Sequence, residues 1–495
     1  MTPKTLDQGL TSEWLYTNGL GGYASSTLAG CNTRRYHALL AAALQPPVKR
    51  TLLVSKLDET LFVGQIPFEL ATNEFEDGAI HPDGWKYLAR FERPLGIPTF
   101  TFAFQGWRLE KKVWMEQAQN TTFVQYLLQA APSACQLRLR PFYTYRDFHA
   151  EQHGGSNFDV STNQDGSVTV EAFSSAEPCV LSCDHPAGFE EGSDWWWRFG
   201  HRAERERGLD WTEDLFTPGQ LSIALLPEQP VLFRFSIEPQ PAPFAGAIQR
   251  AEDHGRQSFA TPAPAEQGDN VASQLRFAAS QFVVRRGTGA SVIAGYHWFQ
   301  DWGRDTMIAL PGLALETGRP ELALDILRTF AAFVDRGMIP NRFSEESGGA
   351  EYNNVDGTLW FFQAVDRYLR GAEDTSFLGE VFPTLESVVD WHLRGTRFNI
   401  KVDTDDGLLF SGEEGVQLTW MDAKVGDWIV TTRIGKPVEV NALWFNAICL
   451  MAAWARELEK PAEHYQQLAR QIGLSFRERF WYAEGGYLYD VIDGP

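Results

Sequence analysis

Residues 296–307 read YHWFQDWGRDTM and lead directly into the apolar run 307–315. Within eight positions the stretch carries two indoles, two carboxylates and one guanidinium, which are Trp298, Asp301, Trp302, Arg304 and Asp305. Indole faces stack on the C–H faces of a sugar ring, and Asp and Arg bond its hydroxyls in bidentate fashion. The combination favours a carbohydrate site at a helix start. A tryptophan-rich helix start with an ordinary Arg–Asp surface pair also fits this stretch alone.

The apolar run belongs to a long region with helical periodicity. After residue 270, apolar residues recur with a period of about 3.6, which is typical of amphipathic helices. The predicted helices span residues 271–286, 304–316, 320–337, 356–371, 375–397, 440–459 and 462–480. The segment 398–438 lacks this period, and loops of such length are usually functional or disordered. Because this one carries Trp420 and Asp422, we expect function rather than disorder.

Before residue 240 the pattern is that of β-structure. Short apolar or alternating runs are separated by Gly, Pro, Asn and Asp, as around residues 137–140, 168–170 and 231–237. Alternation with a period of two is typical of half-buried strands. Many short strands of this kind favour two antiparallel sheets stacked as a sandwich.

The changes of period divide the chain into domains. A chain of 495 residues is longer than one ordinary hydrophobic core supports, so two or three domains are expected. Proline-rich composition between the two patterns predicts a linker. We predict a β-sandwich domain at residues 1–240, a linker at 241–269 and a helical domain at 270–495.

The overall composition excludes several classes of protein. Hydrophobic residues make up 44% of the chain and charged residues 22%, which is typical of a globular protein. The formal net charge of −21 would repel nucleic acid and anionic membranes, so we expect neither as a partner. No apolar export leader and no run of membrane-spanning length is found in the sequence. This charge suits a neutral ligand.

The five cysteines are few, scattered and odd in number. This pattern favours reduced thiols, and we expect a cytoplasmic protein. Cys179 and Cys183 lie close together near His185, but no second ligand pair follows at the spacing of a zinc site. We predict that both are ordinary buried strand residues and that no metal is bound.

Carboxylates beside aromatic residues are the next feature. A glycosidic bond breaks through an oxocarbenium-like transition state, which needs one carboxylic acid to protonate the leaving oxygen and a second carboxylate as base or nucleophile. Candidate carboxylates occur at Asp301, Asp305, Asp356, Asp422 and Glu439. Asp356 and Glu439 lie at predicted helix starts, where capping alone would account for them.

Asp422 differs because it lies inside the long loop, next to Trp420 and Met421. An apolar flank raises a carboxyl pKa, as a general acid at neutral pH requires. We therefore prefer Asp422 as the acid. A loop carboxylate that only pairs with Lys424 is the alternative.

The run Asp403-Thr404-Asp405-Asp406 matches two other patterns. A DxDD motif occurs in terpene cyclases that begin by protonation, and such an enzyme would depend on Asp405. The same run is an imperfect calcium loop, in which Gly407 comes one place early. A polar turn is the simpler interpretation, and we favour it over both.

Several motifs occur together along the chain: residues 18–23 (NGLGGY), 34–37 (RRYH), 302–307 (WGRDTM), 354–356 (NVD), 419–424 (TWMDAK) and 435–439 (GKPVE). With them the chain resembles the amylo-alpha-1,6-glucosidase (glycogen debranching enzyme) family of the bacterial and archaeal type, nearly from end to end. The resemblance implies an N-terminal β-sandwich joined to an (α/α)6 toroid. It also implies inverting hydrolysis of the α-1,6-linked glucose stub of a trimmed glycogen branch, with no cofactor or metal.

By the same resemblance Asp422 is the general acid, and Arg304 and Asp305 bind the terminal glucose. The other predicted substrate contacts are Trp298, Asp301, Trp302, Asp356, Trp360, Trp420 and Glu439. These assignments require the Asp422 carboxyl to lie beside Arg304 and Asp305.

Two features depart from the pattern of the family. A complete (α/α)6 toroid has six helix pairs, more than the predicted helices provide, and the family's catalytic base is a Glu close to the C-terminal end of the barrel. We therefore expect a truncated enzyme with weak or no hydrolytic activity. Glu439 is the best internal candidate for the base, although capping or substrate binding fits its position better. Another glucosidase on the same toroid, acting on α-1,4 or trehalose linkages, and a non-catalytic glucan-binding protein are the alternatives.

Overall fold

The computed structural model describes residues 2–131, 134–260, 271–344, 349–372 and 375–495. The chain divides into two compact units, residues 1–285 and 286–495. The first unit consists mainly of strands and the second mainly of helices, as the change of periodicity predicts.

Most strands of the first unit form two antiparallel sheets, and one further pair, Thr72–Glu74 with Ile80–Asp83, forms a two-stranded sheet of its own. In chain order they are β1 (Glu13–Thr17), β2 (Tyr23–Thr27), β3 (Ala38–Gln45), β4 (Val48–Val63), β5 (Ile66–Glu69), β6 (Thr72–Glu74), β7 (Ile80–Asp83), β8 (Leu88–Glu92), β9 (Thr99–Phe104), β10 (Trp107–Met115), β11 (Thr121–Ala130), β12 (Cys135–Asp147), β13 (Asp159–Thr162), β14 (Val168–Glu171), β15 (Cys179–Cys183), β16 (Gly188–Gly200), β17 (Thr212–Leu225) and β18 (Pro230–Ser236). One sheet has the order β1-β2-β3-β4-β12-β17-β16 with β5 on β4, and the other has the order β13-β14-β15-β18-β11-β10-β9-β8. The alternating runs of the sequence lie in β12, β14 and β18, which confirms them as strands.

The two sheets pack face to face around one apolar core. Buried side chains from both belong to the same cluster, for example Leu137 of β12 and Phe233 of β18. A polar link also crosses this core. The Tyr126 hydroxyl on β11 donates to Glu59 Oε1 on β4 at 2.8 Å, and Lys111 on β10 forms an ion pair with the same carboxylate. Because a buried charge is tolerated only when it is paired, this link favours one alignment of the two sheets.

The described part of the first unit contains four helices, and one of them, at residues 247–259, lies in the stretch predicted as a linker. They are α1 (Leu6–Thr11), α2 (Arg202–Glu206), α3 (Ala247–Phe259) and α4 (Val271–Phe282). The rings of Phe259 and Phe277 stack at 4.5 Å, and Phe277 lies against Gly96. This aromatic contact keeps α4 with the β-sheet unit, so the division falls after Arg285 and not at residue 270. Residues 261–270 of the predicted linker lie outside the described residues.

The helices of the second unit agree with the predicted ones to within a few residues. They are α5 (Gly303–Leu310), α6 (Pro320–Ala332), α7 (Asp356–Ala372), α8 (Thr375–Arg394), α9 (Val438–Glu457) and α10 (Glu463–Phe480). A π-helical turn, Pro311–Leu315, continues α5. Helix α7 packs between α5 and α9, while α6, α8 and α10 pack against their outer sides. Successive helices therefore alternate between an inner row (α5, α7, α9) and an outer row (α6, α8, α10).

The remaining strands are short. They are β19 (Val283–Arg286), β20 (Gly289–Val292), β21 (Arg342–Phe343), β22 (Ala350–Glu351), β23 (Lys401–Val402), β24 (Leu409–Phe410), β25 (Lys424–Val425), β26 (Trp428–Ile429), β27 (Lys436–Pro437), β28 (Trp481–Tyr482), β29 (Tyr487–Leu488) and β30 (Val491–Ile492). The segment 398–438 thus contains paired strands, β23 with β24 and β25 with β26. This confirms that it is ordered.

Two expectations from composition can be compared with the structure. The cysteines are all free thiols, and Cys179 and Cys183 are the two ends of β15, which confirms their assignment to a strand. Cys179 is buried as predicted, but Cys183 is only half-buried, so the prediction of burial is wrong for Cys183. The expectation that no run is long and apolar enough to span a membrane is wrong for one of the described helices. Helix α9 passes that test by length and composition, with a mean hydropathy of 1.4. Its place in the inner row, between α7, α8 and α10, accounts for this composition.

Candidate active site

The helices of the inner row begin at one end of the helical unit. Arg304 is the second residue of α5, Asp356 the first of α7 and Glu439 the second of α9. Arg304 contacts Asp356, and the charge of Glu439 acts on Asp356. Because the unpaired N–H groups of a helix start favour negative charge, the carboxylates collect at this end.

Arg304 joins two carboxylates that are far apart in the sequence. Its Nε donates to both oxygens of Asp356 at 2.9 Å, and its Nη1 donates to Asp422 Oδ2 at 2.9 Å. Its Nη2 is buried and has no hydrogen-bond partner among the described residues. A buried donor without a partner costs about 1–3 kcal/mol, so a ligand oxygen that accepts from Nη2 would remove this cost. We call Arg304, Asp356 and Asp422 the arginine cluster.

Two glycines allow the backbones to approach this closely. A Cβ on Gly303 would lie 2.1 Å from the carbonyl oxygen of Pro340, and one on Gly357 would lie 2.8 Å from Asn354 Oδ1. The Gly303 N–H donates to the carbonyl oxygen of Asn341 at 2.7 Å. Any side chain at Gly303 would therefore push the start of α5, and Arg304 with it, away from its neighbours.

Burial and charge shift the pKa values within the arginine cluster. Burial lowers the pKa of Arg304, but Asp356 and Asp422 more than offset this, and the net pKa is raised. Burial raises the pKa of Asp356 above its ordinary 3.8 and Glu439 adds to this, against the opposing effects of Arg304 and the Gly357 amide. The site therefore keeps a permanent cation beside a carboxyl group of raised proton affinity.

Asp422 occupies the open side of the cluster. Its side chain is 34% exposed, and Arg304 contacts one of its oxygens, Oδ2. The other oxygen has no hydrogen bond among the described residues. Its ion-pair partner is thus Arg304 and not Lys424, which is exposed. The expected proximity of Asp422 and Arg304 is therefore observed.

Asp305 lies near both members of this ion pair. Its side chain faces solvent. Partial desolvation raises the pKa of Asp305, with Arg304 opposing this rise and the charge of Asp422 adding to it. An exposed carboxyl beside the guanidinium is placed to accept from a ligand hydroxyl. Its contact with glucose stays a prediction.

Asp301 is fully buried and paired on both oxygens. It accepts from Arg286 Nε at 2.6 Å and from Arg286 Nη2 at 2.7 Å, and the guanidinium carbon of Arg286 lies 3.8 Å from the centroid of the Phe343 ring. A buried bidentate pair of this kind holds the backbone rigidly. In this arrangement Asp301 positions the stretch that carries Trp302 and Arg304, and a direct substrate contact would require the pair to open.

Glu439 is held in a similar way. Both of its oxygens accept from Arg433, through Nη1 and, at 2.8 Å, through Nη2. Arg433 also binds Asp490 Oδ1 at 2.7 Å, and its side chain is almost fully buried. Glu439 thus lies at the edge of the arginine cluster with its carboxylate already engaged.

The predicted tryptophans differ in exposure. Trp298, Trp302 and Trp360 are half-buried, whereas Trp420 is 57% exposed. Trp302 immediately precedes α5, and its Nε1 is buried without a hydrogen-bond partner among the described residues. Trp302 lies two residues before Arg304, and Trp420 lies two residues before Asp422. Their contacts with substrate stay predictions.

The cations that hold these carboxylates were missed by sequence reasoning. Arg286 is separated by 15 residues from Asp301, and Arg433 by 6 from Glu439. No local periodicity links such pairs, because the two members of each pair do not lie in one regular element. Of the two cations, only Arg433 could have been suggested by the sequence, because it lies just before the motif at 435–439.

A second charged group surrounds the run 403–406. The Nζ of Lys436 lies 2.8 Å from Asp403, 2.7 Å from Asp406 and 2.8 Å from Asp493. Arg479 binds two of these carboxylates, Asp406 and Asp493. We call these five residues the lysine cluster. The Lys436 ammonium takes the place between the carboxylates that a metal cation would need, and the structure agrees with the polar-turn interpretation.

Family models match both units of the chain. A family model described as "Glycogen debranching enzyme N terminal" matches residues 12–232, and one described as "Amylo-alpha-1,6-glucosidase" matches residues 277–494. The glycogen debranching enzyme of Saccharomyces cerevisiae is 26% identical over 206 residues, which cover 31% of this chain and 13% of that protein. The chain thus matches a small part of the length of this curated relative.

A solved structure shares the fold. The crystal structure of a bacterial glucoamylase in complex with acarbose matches 97% of this chain and 68% of its own chain, with a TM-score of 0.54 and 11% identity. At this identity the likeness shows the fold alone. It confirms the predicted class at a coarse level, an N-terminal antiparallel β-sheet domain followed by helices of the (α/α)6 type.

Proposed function

The chain belongs to the amylo-alpha-1,6-glucosidase (glycogen debranching enzyme) family of glycoside hydrolases, and on that premise we propose that it removes α-1,6-linked glucose from branch stubs of glycogen-like glucan. In this proposal Asp422 is the general acid, and Arg304 and Asp305 bind the terminal glucose. The substrate is neutral, which agrees with the net charge of −21.

The observation that carries the proposal is the incomplete bonding of Arg304. The guanidinium is buried between Asp356 and Asp422, yet Nη2 has no partner among the described residues. Arg138 Nε and Arg234 Nε are also buried without a hydrogen-bond partner among the described residues, so what distinguishes Arg304 is that its unpaired donor belongs to the cluster that contains Asp422, whose side chain is 34% exposed. A sugar hydroxyl is an acceptor of suitable size and is neutral, so its binding would complete the guanidinium without adding charge.

The chemistry follows from the positions of the carboxyl groups. Asp422 reaches the open side, where it would give its proton to the departing glycosidic oxygen. Inversion then requires a second carboxylate that activates water on the other face of the sugar. Both oxygens of Asp356 bind Arg304 and both oxygens of Glu439 bind Arg433. Neither carboxylate is free to act as this base while those ion pairs persist.

Glucose release from phosphorylase-trimmed glycogen tests the proposal. Because both oxygens of Asp356 and of Glu439 are engaged in ion pairs, we expect slow release from the trimmed glycogen and from isomaltose-type substrates, and still slower release from maltose and trehalose. The glucose first formed should be the β-anomer, observed by NMR before mutarotation, since inversion at an α-linkage produces it. A preference for maltose or trehalose, or initial formation of the α-anomer, would contradict the proposed linkage or mechanism.

A glucan-binding protein without turnover is the second candidate function. It is favoured by the two ion pairs that engage both oxygens of Asp356 and of Glu439. It predicts that trimmed glycogen binds without glucose release and that Asp422→Asn leaves this binding unchanged. Detectable glucose release that is lost in Asp422→Asn would exclude it.

A further inference from the structure

A β-hairpin begins at the residue that follows the proposed acid. The Val430 N–H donates to the carbonyl oxygen of Ala423 at 3.1 Å. Lys424 then pairs with Ile429, and Val425 with Trp428. The hairpin at residues 423–430 therefore extends directly from Asp422, and at about 3.3 Å per residue its tip lies about 10 Å further along the strand.

The two faces of this hairpin differ in exposure. Side chains alternate between faces along a strand, so Ile429 lies on the face opposite to that of Trp428 and Val430. Ile429 is buried, with 6% exposed, whereas Val425 and Trp428 are each 64% exposed and Val430 is 43% exposed. One face thus anchors the hairpin in the helical unit. The other presents an indole and two branched aliphatic side chains to solvent, and we call it the hairpin face.

We propose that the hairpin face binds the leaving side of the substrate, the glucan main chain from which the glucose stub departs. This inference rests on the proposed function. A general acid contacts the oxygen that leaves, so the departing glucan must lie at Asp422. The hairpin is the element that extends from Asp422, and Trp428 offers a flat apolar surface to the C–H faces of the sugar rings. In the proposed function the terminal glucose is held separately, by Arg304 and Asp305.

The charge of the chain favours this occupant. A net charge of −21 opposes the close approach of a second copy of the chain or of an acidic partner. A neutral glucan meets no such repulsion. Asp427, in the turn next to the face, is exposed and can bond the sugar hydroxyls at its edge. Trp420, two residues before the acid, is also exposed.

The test compares binding and turnover in Trp428→Ala, Trp428→Phe and a matched control. Trp197→Ala is the control, because Trp197 is 56% exposed but lies on β16 of the other unit. Titration calorimetry with maltoheptaose, in the Asp422→Asn background to exclude turnover, reports glucan binding. We expect Trp428→Ala to weaken binding about 3- to 10-fold, the loss of one aromatic stacking contact. Trp428→Phe should recover most of it, and Trp197→Ala should leave it unchanged.

Substrate choice separates this inference from the proposed function. A nitrophenyl α-glucoside has no glucan on its leaving side, so Trp428→Ala should raise KM for trimmed glycogen more than for the aryl glucoside. Equal changes for both substrates, or unchanged maltoheptaose binding, would overturn the inference while the function stands. Glucose release that persists in Asp422→Asn would instead contradict the acid assignment. A dimer of the wild type that Trp428→Ala dissociates, with glucan binding unaffected, would assign the face to a second copy and also overturn the inference.

Discussion

The arginine cluster and the lysine cluster contain the same kinds of group but differ in how completely they are bonded. In the lysine cluster, the Lys436 ammonium bonds to a carboxylate in each of three directions, and its side chain is 1% exposed. An ammonium has only three N–H donors, so it has none left for a ligand. In the arginine cluster, Arg304 keeps a buried N–H without a partner among the described residues, and Asp422 is 34% exposed.

This difference distinguishes a structural cluster from a candidate site. A fully bonded buried network stabilises one conformation and has no remaining affinity for a ligand. An incompletely bonded one costs stability until a ligand completes it. Counting acidic residues in the sequence points to the run 403–406, yet the better candidate is the cluster with fewer carboxylates. Substitution of one group at a time tests this difference between the two clusters.

The largest effect is expected from Asp422→Asn. The amide has the size of the carboxyl group but cannot deliver its proton, so glucose release should fall about 10²- to 10⁴-fold. The thermal unfolding midpoint should change little. Asp405→Asn, an exposed neighbour of the lysine cluster, is the control and should retain full release. If Asp422→Asn and the wild type released glucose at equal rates, the arginine cluster would not be the catalytic site.

Lys436→Met should affect stability and not chemistry. The change removes the cation from between three carboxylates and leaves them to repel one another, which for a buried pair costs about 3–5 kcal/mol. Urea unfolding measures this loss. Lys401→Met, at an exposed lysine of the same unit, should change stability by less than about 0.5 kcal/mol. If both variants unfold at the same urea concentration, the lysine cluster contributes nothing.

Arg304→Lys is expected to weaken glucan binding. An ammonium lacks the planar fork that bonds Asp356, Asp422 and a ligand at once, and loss of one charge-assisted bond of about 1.5–3 kcal/mol corresponds to roughly a 10- to 100-fold weaker Kd. Calorimetry with maltoheptaose measures it. Arg328→Lys changes an exposed bidentate pair with Glu380 and should have no effect. Unchanged binding in Arg304→Lys would show that Nη2 does not contact the sugar.

The smallest effect concerns acid pH. Lys436 lowers the pKa of Asp403, and Lys436 with Arg479 lowers the pKa of Asp493, below the ordinary 3.8. A carboxyl with a lowered folded-state pKa contributes stability above its unfolded-state pKa and loses it as pH falls toward the folded value. Stability should therefore fall as the pH drops below about 5, and less steeply in Asp493→Asn. Unfolding free energies at pH 3, 4, 5 and 7 measure this difference. If the wild type and Asp493→Asn lost stability with the same slope, the pairing of Asp493 would contribute nothing.

Much of the fold could be predicted because its signals are local. The helix α6 and the strand β18 were both recognised from the spacing of apolar residues, which reports the face that each element buries. The boundary near residue 270 could not be recognised in this way. Helix α4 has the same period whether it packs in one unit or the other, and the contact of Phe277 with Phe259 decides the matter.

The candidate site was predictable in its residue types and less so in its pairing. Asp422 was selected because an aromatic loop without a helical period has no capping role for a carboxylate, and it lies beside Arg304. Asp301 was selected on similar grounds, yet it is buried against Arg286. The two carboxylates look alike in sequence, because exposure is a property of the folded chain and not of spacing.

Periodicity and motifs in the chain were enough to predict the strands, the helices, the family and the residues from which a sugar site could be built. The pairing of the charges became visible only in the folded chain. Arg304 meets Asp356 across 52 residues and Asp422 across 118, while the carboxylates of the run 403–406 close around Lys436. The two kinds of information differ in the distance along the chain over which they act. Periodicity is read over a few neighbouring residues, whereas the bonding of a buried charge depends on whichever groups the packing of distant helices brings within about 3 Å.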